Sequence, residues 1–278
     1  MPLAAPAGRL AARGARRPRR VPRHRSAGAR RARRARLPAA RPGATRVSTP
    51  LAVAVVIPAR DEEALLPGCL DSVSRAVRAL GREHPEVRCR TFVVLDSCHD
   101  GTAGIVAGRR DVSAVPVQAG CVGAARAAGV DAAAVWSGRA AAPRVWIANT
   151  DADSTVPEHW LVDQVRFATA GLTLVVGTVE PTAGDLTAEE MVLWRARHSV
   201  GDGHQHVHGA NLGFTLAAYR AVGGFRPLRV HEDVELVAAM RADGVATVAT
   251  GSLSVTTSGR RHGRAPDGFA AYLDGLGA

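Results

Sequence analysis

The sequence predicts an α/β fold with a mostly parallel central sheet flanked by helices. Three observations lead there. Short apolar runs at 53–57, 91–95 and 145–149 alternate with longer segments of helical spacing, the signature of strand–helix–strand units. Each run stops at a polar turn carrying aspartate, and ligands of parallel sheets sit just beyond the carboxyl ends of the strands. No apolar run approaches a membrane span, and the longest near the start, Leu51 to Ile57, is strand-sized.

The first fifty residues are unlike the rest. They hold fifteen arginines and no Asp or Glu, with Ala, Pro and Gly between them. Residues 1–48 therefore read as a disordered Arg/Ala/Pro-rich tail that has nothing to bury. No apolar stretch follows the paired arginines, which excludes a secretory signal. The alternative is an upstream extension of a chain whose start lies near Val47. The whole chain is formally +11 and its first fifty residues carry +15, so residues 51–278 carry −4. A nucleic-acid face would make the folded part basic, so no nucleic-acid partner is expected for residues 49–278, read as one domain. Cys69, Cys89, Cys98 and Cys121 show no paired spacing, which fits reduced thiols in a cytoplasmic protein. Peripheral membrane contact stays compatible with this composition.

Taken in order, Val53 to Ile57 is a buried parallel strand closed by Pro58. A helix follows to about Leu80, with Leu65, Leu66, Cys69, Leu70, Val73, Val77 and Leu80 on one face. Gly81 is expected to end it, and Pro67 leaves its start open. Thr91 to Leu95 is the second strand, ending at Asp96, and Val112 to Val117 the third. Gly120 to Trp136 is an Ala-rich helix, and Val145 to Asn149 is the fourth strand. Pro157 is expected to open a helix to about Ala170, before a strand from Leu172 to Val179. A helical piece around Met191 to His198 precedes a histidine-rich stretch. A short helix then ends at Val222, another runs from His231 to Gly244, and Val245 to Val255 is strand-like. Thr256 to Arg264 is a polar, basic loop.

The fourth strand ends in Asp151-Ala152-Asp153. Paired carboxylates at a strand end suit a hard divalent cation, Mg²⁺ or Mn²⁺, sharing its shell with a diphosphate. The competing reading is a solvated turn before the next helix. His204, His206 and His208 alternate and would share one face of a strand, where three imidazoles could take zinc, although a polar loop is the commoner meaning. Glu232-Asp233-Val234-Glu235 reads either as an acidic first helical turn or as a site for a general base.

Seven pieces in this order resemble the family 2 glycosyltransferases of the GT-A fold: Pro58-Ala59-Arg60-Asp61-Glu62-Glu63, Asp96, Gly123-Ala124-Ala125-Arg126, Asp151-Ala152-Asp153, Gly209-Ala210-Asn211, Gly223-Gly224-Phe225 and Glu232-Asp233. The resemblance spans roughly residues 51–260. It implies a nucleotide-binding half (51–155) and an acceptor half (156–278). Pro58, Ala59 and Glu62 would line the base and Asp96 would accept from its ring N–H, which suits a UDP- or GDP-type sugar. Arg126 would face the diphosphate, Asp151 the ribose or phosphate, and Asp153 the metal, with His262 completing the metal shell. Gly209, Ala210 and Asn211 would meet an unknown acceptor. Asp233, or its neighbour Glu232, would take the acceptor proton in an inverting transfer.

Departures from the family pattern bear on this. The basic residue usual before the Gly-x-Ala-Arg helix is Cys121 or Val122 here, and the Gln-x-x-Arg-Trp motif of processive synthases is absent, which favours transfer of one sugar. A sugar nucleotidyltransferase would carry a Gly-rich basic loop after the first strand, whereas residues 58–63 are acidic and lack glycine. A non-catalytic nucleotide-sugar binding module is disfavoured by the three retained aspartates.

Overall fold

The computed structural model describes residues 49–260 except 139, 141, 199 and 200. The Arg-rich tail (1–48), the end of the basic loop and the candidate metal ligand His262 lie outside the described residues.

The strands are β1 (Ala52–Ala59), β2 (Arg88–Asp96), β3 (Val112–Val117), β4 (Val145–Asn149), β5 (Ser154–Thr155), β6 (Leu174–Pro181), β7 (Leu212–Thr215) and β8 (Thr247–Thr257). The helices are α1 (Leu66–Glu83), α2 (Thr102–Ala107), α3 (Val122–Ser137), α4 (Trp160–Thr169), α5 (Ala188–Arg197), α6 (Leu216–Ala221) and α7 (Glu232–Ala242). The strands form one sheet in the order β3-β2-β1-β4-β7-β6-β8-β5. β1 runs parallel to both β2 and β4, and β2 to β3. Beyond β4 the sheet is mixed, because β7 lies antiparallel to β4 and β6 while β6 and β8 are parallel.

Strand alternation divides the core between the two faces of the sheet. Val53, Val55 and Ile57 of β1 point to the side where α1 and α4 pack. Ala52, Ala54 and Val56 point to the side of α3, α6 and α7. Small residues let the helix on that second side come close. A Cβ on Gly129 would stand 2.5 Å from Val56 Cγ1, so glycine at this place brings α3 down onto β1. The N-terminal turns of α3, with Arg126, are thereby set close to the carboxyl end of β4.

Several sequence expectations are corrected. Gly81 does not end α1. The helix continues to Glu83, and the His84 N–H bonds to the Leu80 carbonyl just before Pro85 stops the chain from continuing. Pro67 stands in the first turn, where its missing N–H has no helical partner to lose. Pro157 opens a turn, closed by the Trp160 N–H on its carbonyl, and α4 begins only at Trp160. Two strands are absent from the sequence reading. β7 is four residues long with a glycine inside, and β5 has two residues, so neither shows a periodic pattern of its own.

Candidate active site

A cavity of about 600 Å³ opens at the carboxyl ends of β1, β2 and β4. Pro58, Ala59, Glu62, Asp96, Arg126, Asp151, Asp153, Gly209, Ala210, Glu232 and Asp233 all border it. Positions far apart in the sequence thus converge on one cleft.

The first two strand ends are tied together. Asp61 and Ser97 both sit in the left-handed region, at φ 51° and 56°, and turn the chain sharply off β1 and β2. Asp61 Oδ1 accepts the His99 N–H at 2.7 Å, and Glu63 Oε2 accepts the Gly101 N–H at 2.7 Å. In return Asp100 Oδ2 accepts the Glu63 N–H at 3.0 Å and Thr102 Oγ1 accepts the Glu62 N–H at 2.8 Å. Asp96 is buried under these loops. Its Oδ1 accepts the N–H groups of Ala119 and Gly120 at 2.8 and 3.0 Å, and its Oδ2 accepts Arg60 Nη2 at 2.6 Å.

Arg126 stands at the centre of the floor and is buried. Its Nη2 donates to Asp151 Oδ1 at 2.5 Å and its Nε to Glu232 Oε1 at 3.0 Å. Burial opposes its charge, but Asp151, Glu232 and Asp233 outweigh that and hold its pKa above the ordinary arginine value. Its Nη1 has no hydrogen-bond partner among the described residues. Burial pushes the Glu232 carboxyl up, with Arg126 pulling against it. Gly209 has no room for a side chain, since a Cβ would stand 2.4 Å from Arg126 Nη2. Its N–H donates to Asp233 Oδ2 at 2.6 Å, while Asp233 Oδ1 accepts the Val234 N–H at 2.8 Å. Glu232 and Asp233 do occupy the first turn of α7, and they divide its work: Glu232 is spent on Arg126, and Asp233 stays half-buried at the cleft surface.

On the opposite wall, Asp153 lies beside Glu62 and Arg260. Arg260 grips Glu62 with both Nη atoms, at 2.6 and 2.7 Å, and its Nη2 is 3.1 Å from Asp153 Oδ2. Burial pushes the Asp153 carboxyl up to about 6, Asp151 adds to this, and Arg260 opposes it. Asp151 and Asp153 supply hard oxygen donors, which fits Mn²⁺ or Mg²⁺. Among the described residues no group of three or more His, Cys, Asp or Glu is placed to hold a metal. Two carboxylates are, however, the usual protein share of a cation that takes its other ligands from water and a diphosphate.

Asn211 is not in the cleft, and its expected contact with an acceptor is corrected. It is buried beneath the floor, where its Nδ2 donates to the Thr178 and Leu253 carbonyls at 2.8 Å each and its Oδ1 accepts Trp160 Nε1 at 2.9 Å. It is a positioning residue for the turn that presents Gly209 and Ala210. The zinc reading of His204, His206 and His208 is corrected too. Successive ring centroids lie 6.2 and 6.3 Å apart with the planes nearly parallel, so the nitrogens do not converge. The rings continue a stack that begins with Trp194 on His198 at 3.4 Å.

The family model described as "Glycosyl transferase family 2" matches residues 54–221. The chain belongs to that family. No curated protein sequence matches the chain. Among solved structures, this family 2 glycosyltransferase resembles TarS of S. aureus at 14% identity and a TM-score of 0.55, over 74% of this chain and 36% of that one. It also resembles the mannosyltransferase PcManGT of Pyrobaculum calidifontis, solved with GDP-Man and Mn²⁺, at 17% identity and 0.52, covering 80% and 68%. GalNAc-T7, solved with UDP, GalNAc and Mn²⁺, aligns at 13% identity and 0.53, covering 75% and 44%. The chain spans about a third of the TarS chain, and at these identities the likeness establishes the GT-A fold.

Arg60 stands in the motif that follows the first strand and Arg260 in the basic loop, but nothing local announces their partners Asp96 and Glu62, 36 and 198 residues away. His198 is equally hidden, its only local sign being its spacing of four from Trp194 on one helix face.

Proposed function

We propose that this chain transfers a single sugar from a UDP- or GDP-type nucleotide sugar to an acceptor hydroxyl, with inversion and with Mn²⁺ or Mg²⁺ as cofactor. The observation that carries the reading is the convergence of Asp96, Asp151, Asp153 and Asp233 on one cleft, where the buried Arg126 joins Asp151 to Glu232 beside Asp233. Residues 51–155 form the nucleotide-binding half, and residues 156–278 the acceptor half.

In this reading Pro58 and Ala59 wall the base, and Asp96, fixed by two backbone N–H groups, the Ser97 hydroxyl and Arg60, offers the lone pair left on Oδ2 to the ring N–H. Glu62 borders the same pocket. Arg126 borders the cleft on the diphosphate side and holds Asp151 in place for ribose or phosphate. Asp153 and Asp151 would hold a divalent cation, which would supply positive charge to offset that of the departing nucleoside diphosphate. Asp233 takes the acceptor proton on its carboxylate, oriented by the Gly209 N–H, while the acceptor oxygen attacks the anomeric carbon opposite the leaving group. Glu232 orients Arg126 and takes no proton. Gly209 and Ala210 shape the acceptor side.

The test is a thermal-shift and turnover screen of UDP-, GDP- and dTDP-sugars with and without Mn²⁺. The correct donor raises the melting temperature by mass action and is turned over only with metal. If no nucleotide sugar binds or is consumed under any of these conditions, the reading falls.

A further inference from the structure

Arg260 occupies an unusual place for a cation. The end of β8 runs across the mouth of the cleft beside Asp153: Thr257 Oγ1 donates to Asp153 Oδ1 at 3.4 Å and the Ser258 N–H to the Asp153 carbonyl at 3.1 Å. The Gly259 N–H is then anchored on Asp185 Oδ2 at 2.7 Å, and the Arg260 N–H on Ser258 Oγ at 3.2 Å. This strap delivers the Arg260 guanidinium between two carboxylates, gripping Glu62 with two bonds and reaching Asp153 with a third contact. A planar fork matched to a carboxylate is the strongest form of such a pair.

The carboxylates need a cation whether or not a metal is present. Glu62 and Asp153 share one wall, Asp151, itself held by Arg126, adds its charge, and Asp153 is largely buried there, so like-charge repulsion has little water to screen it. Mg²⁺ coordinating Asp153 through Oδ2 would stand roughly 2.0–2.1 Å from that oxygen, inside the reach of the guanidinium 3.1 Å from it. Two cations cannot share that oxygen at those distances without strong repulsion.

We propose that Arg260 and a divalent cation compete for Asp153, so that metal enters by displacing the guanidinium from that carboxylate. The proposal rests on the reading above, in which Asp153 is a metal ligand. Arg260 is then a positioning residue that sets how tightly metal binds, and the strap after β8 moves with it. Nothing in the exchange requires chemistry at the donor, so it can be read without turnover.

The experiment measures Mn²⁺ affinity of the full chain by calorimetry or by the EPR signal of free Mn²⁺, with no nucleotide present. Arg260→Gln should bind Mn²⁺ about 5–150-fold more tightly than the wild type, the usual range for coupling between two ligands. Arg260→Lys, which keeps the charge but loses the fork, should gain less and serves if the Gln variant fails to fold. Without metal, Arg260→Gln should melt lower than the wild type, and Mn²⁺ should restore it. A Gln variant, or in its place a Lys variant, whose Mn²⁺ affinity without nucleotide is no better than wild type overturns the exchange. If Mn²⁺ then still binds both proteins in the presence of UDP or GDP, only the exchange has failed. If Mn²⁺ binds neither even with nucleotide, the metal reading fails as well.

Discussion

Arg126 and Glu232, 106 residues apart in the sequence, meet at 3.0 Å beneath the floor of the cleft. The same guanidinium holds Asp151 at 2.5 Å, so the helix that carries the candidate base is fastened to the turn after β4 that carries the Asp-x-Asp pair. Removing one partner of a buried charge pair strands the other. Arg126→Ala should therefore lower the unfolding free energy by about 3–5 kcal/mol in urea denaturation. Glu232→Gln keeps an acceptor for Nε and should lose much less. Equal, small losses in both variants would show that the pair is not holding α7 in place.

Asp233→Asn separates the two acids of α7. It keeps size and the Gly209 contact but cannot take a proton, so kcat should fall by a factor on the order of 10²–10⁴ with donor affinity nearly unchanged. Glu235→Gln, whose only described side-chain partner is the exposed Arg226, should stay near wild type. A larger kcat loss at Glu232→Gln than at Asp233→Asn, in a protein of normal stability, would move the base by one position.

Asp153→Ala should abolish the dependence of nucleotide-sugar binding on Mn²⁺ while the circular dichroism spectrum stays that of the wild type. Thr257 and Ser154 lose a hydrogen-bond acceptor, yet they remain bonded to each other at 2.8 Å, which preserves the β5–β8 junction. Unchanged Mn²⁺ dependence in a calorimetric titration would remove Asp153 from the metal site.

The histidine stack makes stability sensitive to acid. Burial, with the neighbouring imidazoles of His198, His206 and His204, lowers the His208 pKa to about 3, and burial lowers those of His198 and His204. These groups stay neutral in the folded state while the unfolded chain takes protons near pH 6.5. Their contribution is therefore fully present above pH 6.5 and is lost as pH falls below it, for His208 progressively down to about pH 3 at up to about 1.4 kcal/mol per pH unit. His208→Gln should flatten the pH dependence of the melting temperature between pH 6.5 and 4. A slope identical to wild type would show that His208 titrates normally.

Deleting residues 1–46 should leave the melting temperature and donor turnover unchanged, because a segment of Arg, Ala, Pro and Gly adds no apolar core and the remaining chain has its own charge balance. An insoluble or inactive truncation would give the tail a part in the fold or the site.

The chain's local physics is legible in its sequence. The apolar runs of β1, β2 and β4 and the apolar stripe of α1 are periodic patterns that need no partner to be recognised. The order of the aspartate-bearing turns points to the family and to one cleft. Less legible are elements too short to repeat: β5 and β7 exist because β8, β4 and β6 offer them open edges. Gly81 misleads as the end of α1 because a glycine stops a helix only where the chain must turn left-handed, and here Pro85 does the stopping.

Which polar side chains border the cleft and which are bound beneath it was decided by tertiary structure. By itself the sequence determined the strand–helix alternation, the acidic strand ends and the separate character of the Arg-rich first fifty residues. It could not say that Asn211 would be consumed by Thr178, Leu253 and Trp160, or that Glu232 rather than Asp233 would be buried on Arg126. Nor could it pair Glu62 with Arg260, 198 residues away. The reason is physical: periodicity reports which way a side chain faces its own element, whereas the partner of a buried charge is set by how the sheet brings distant loops to one edge.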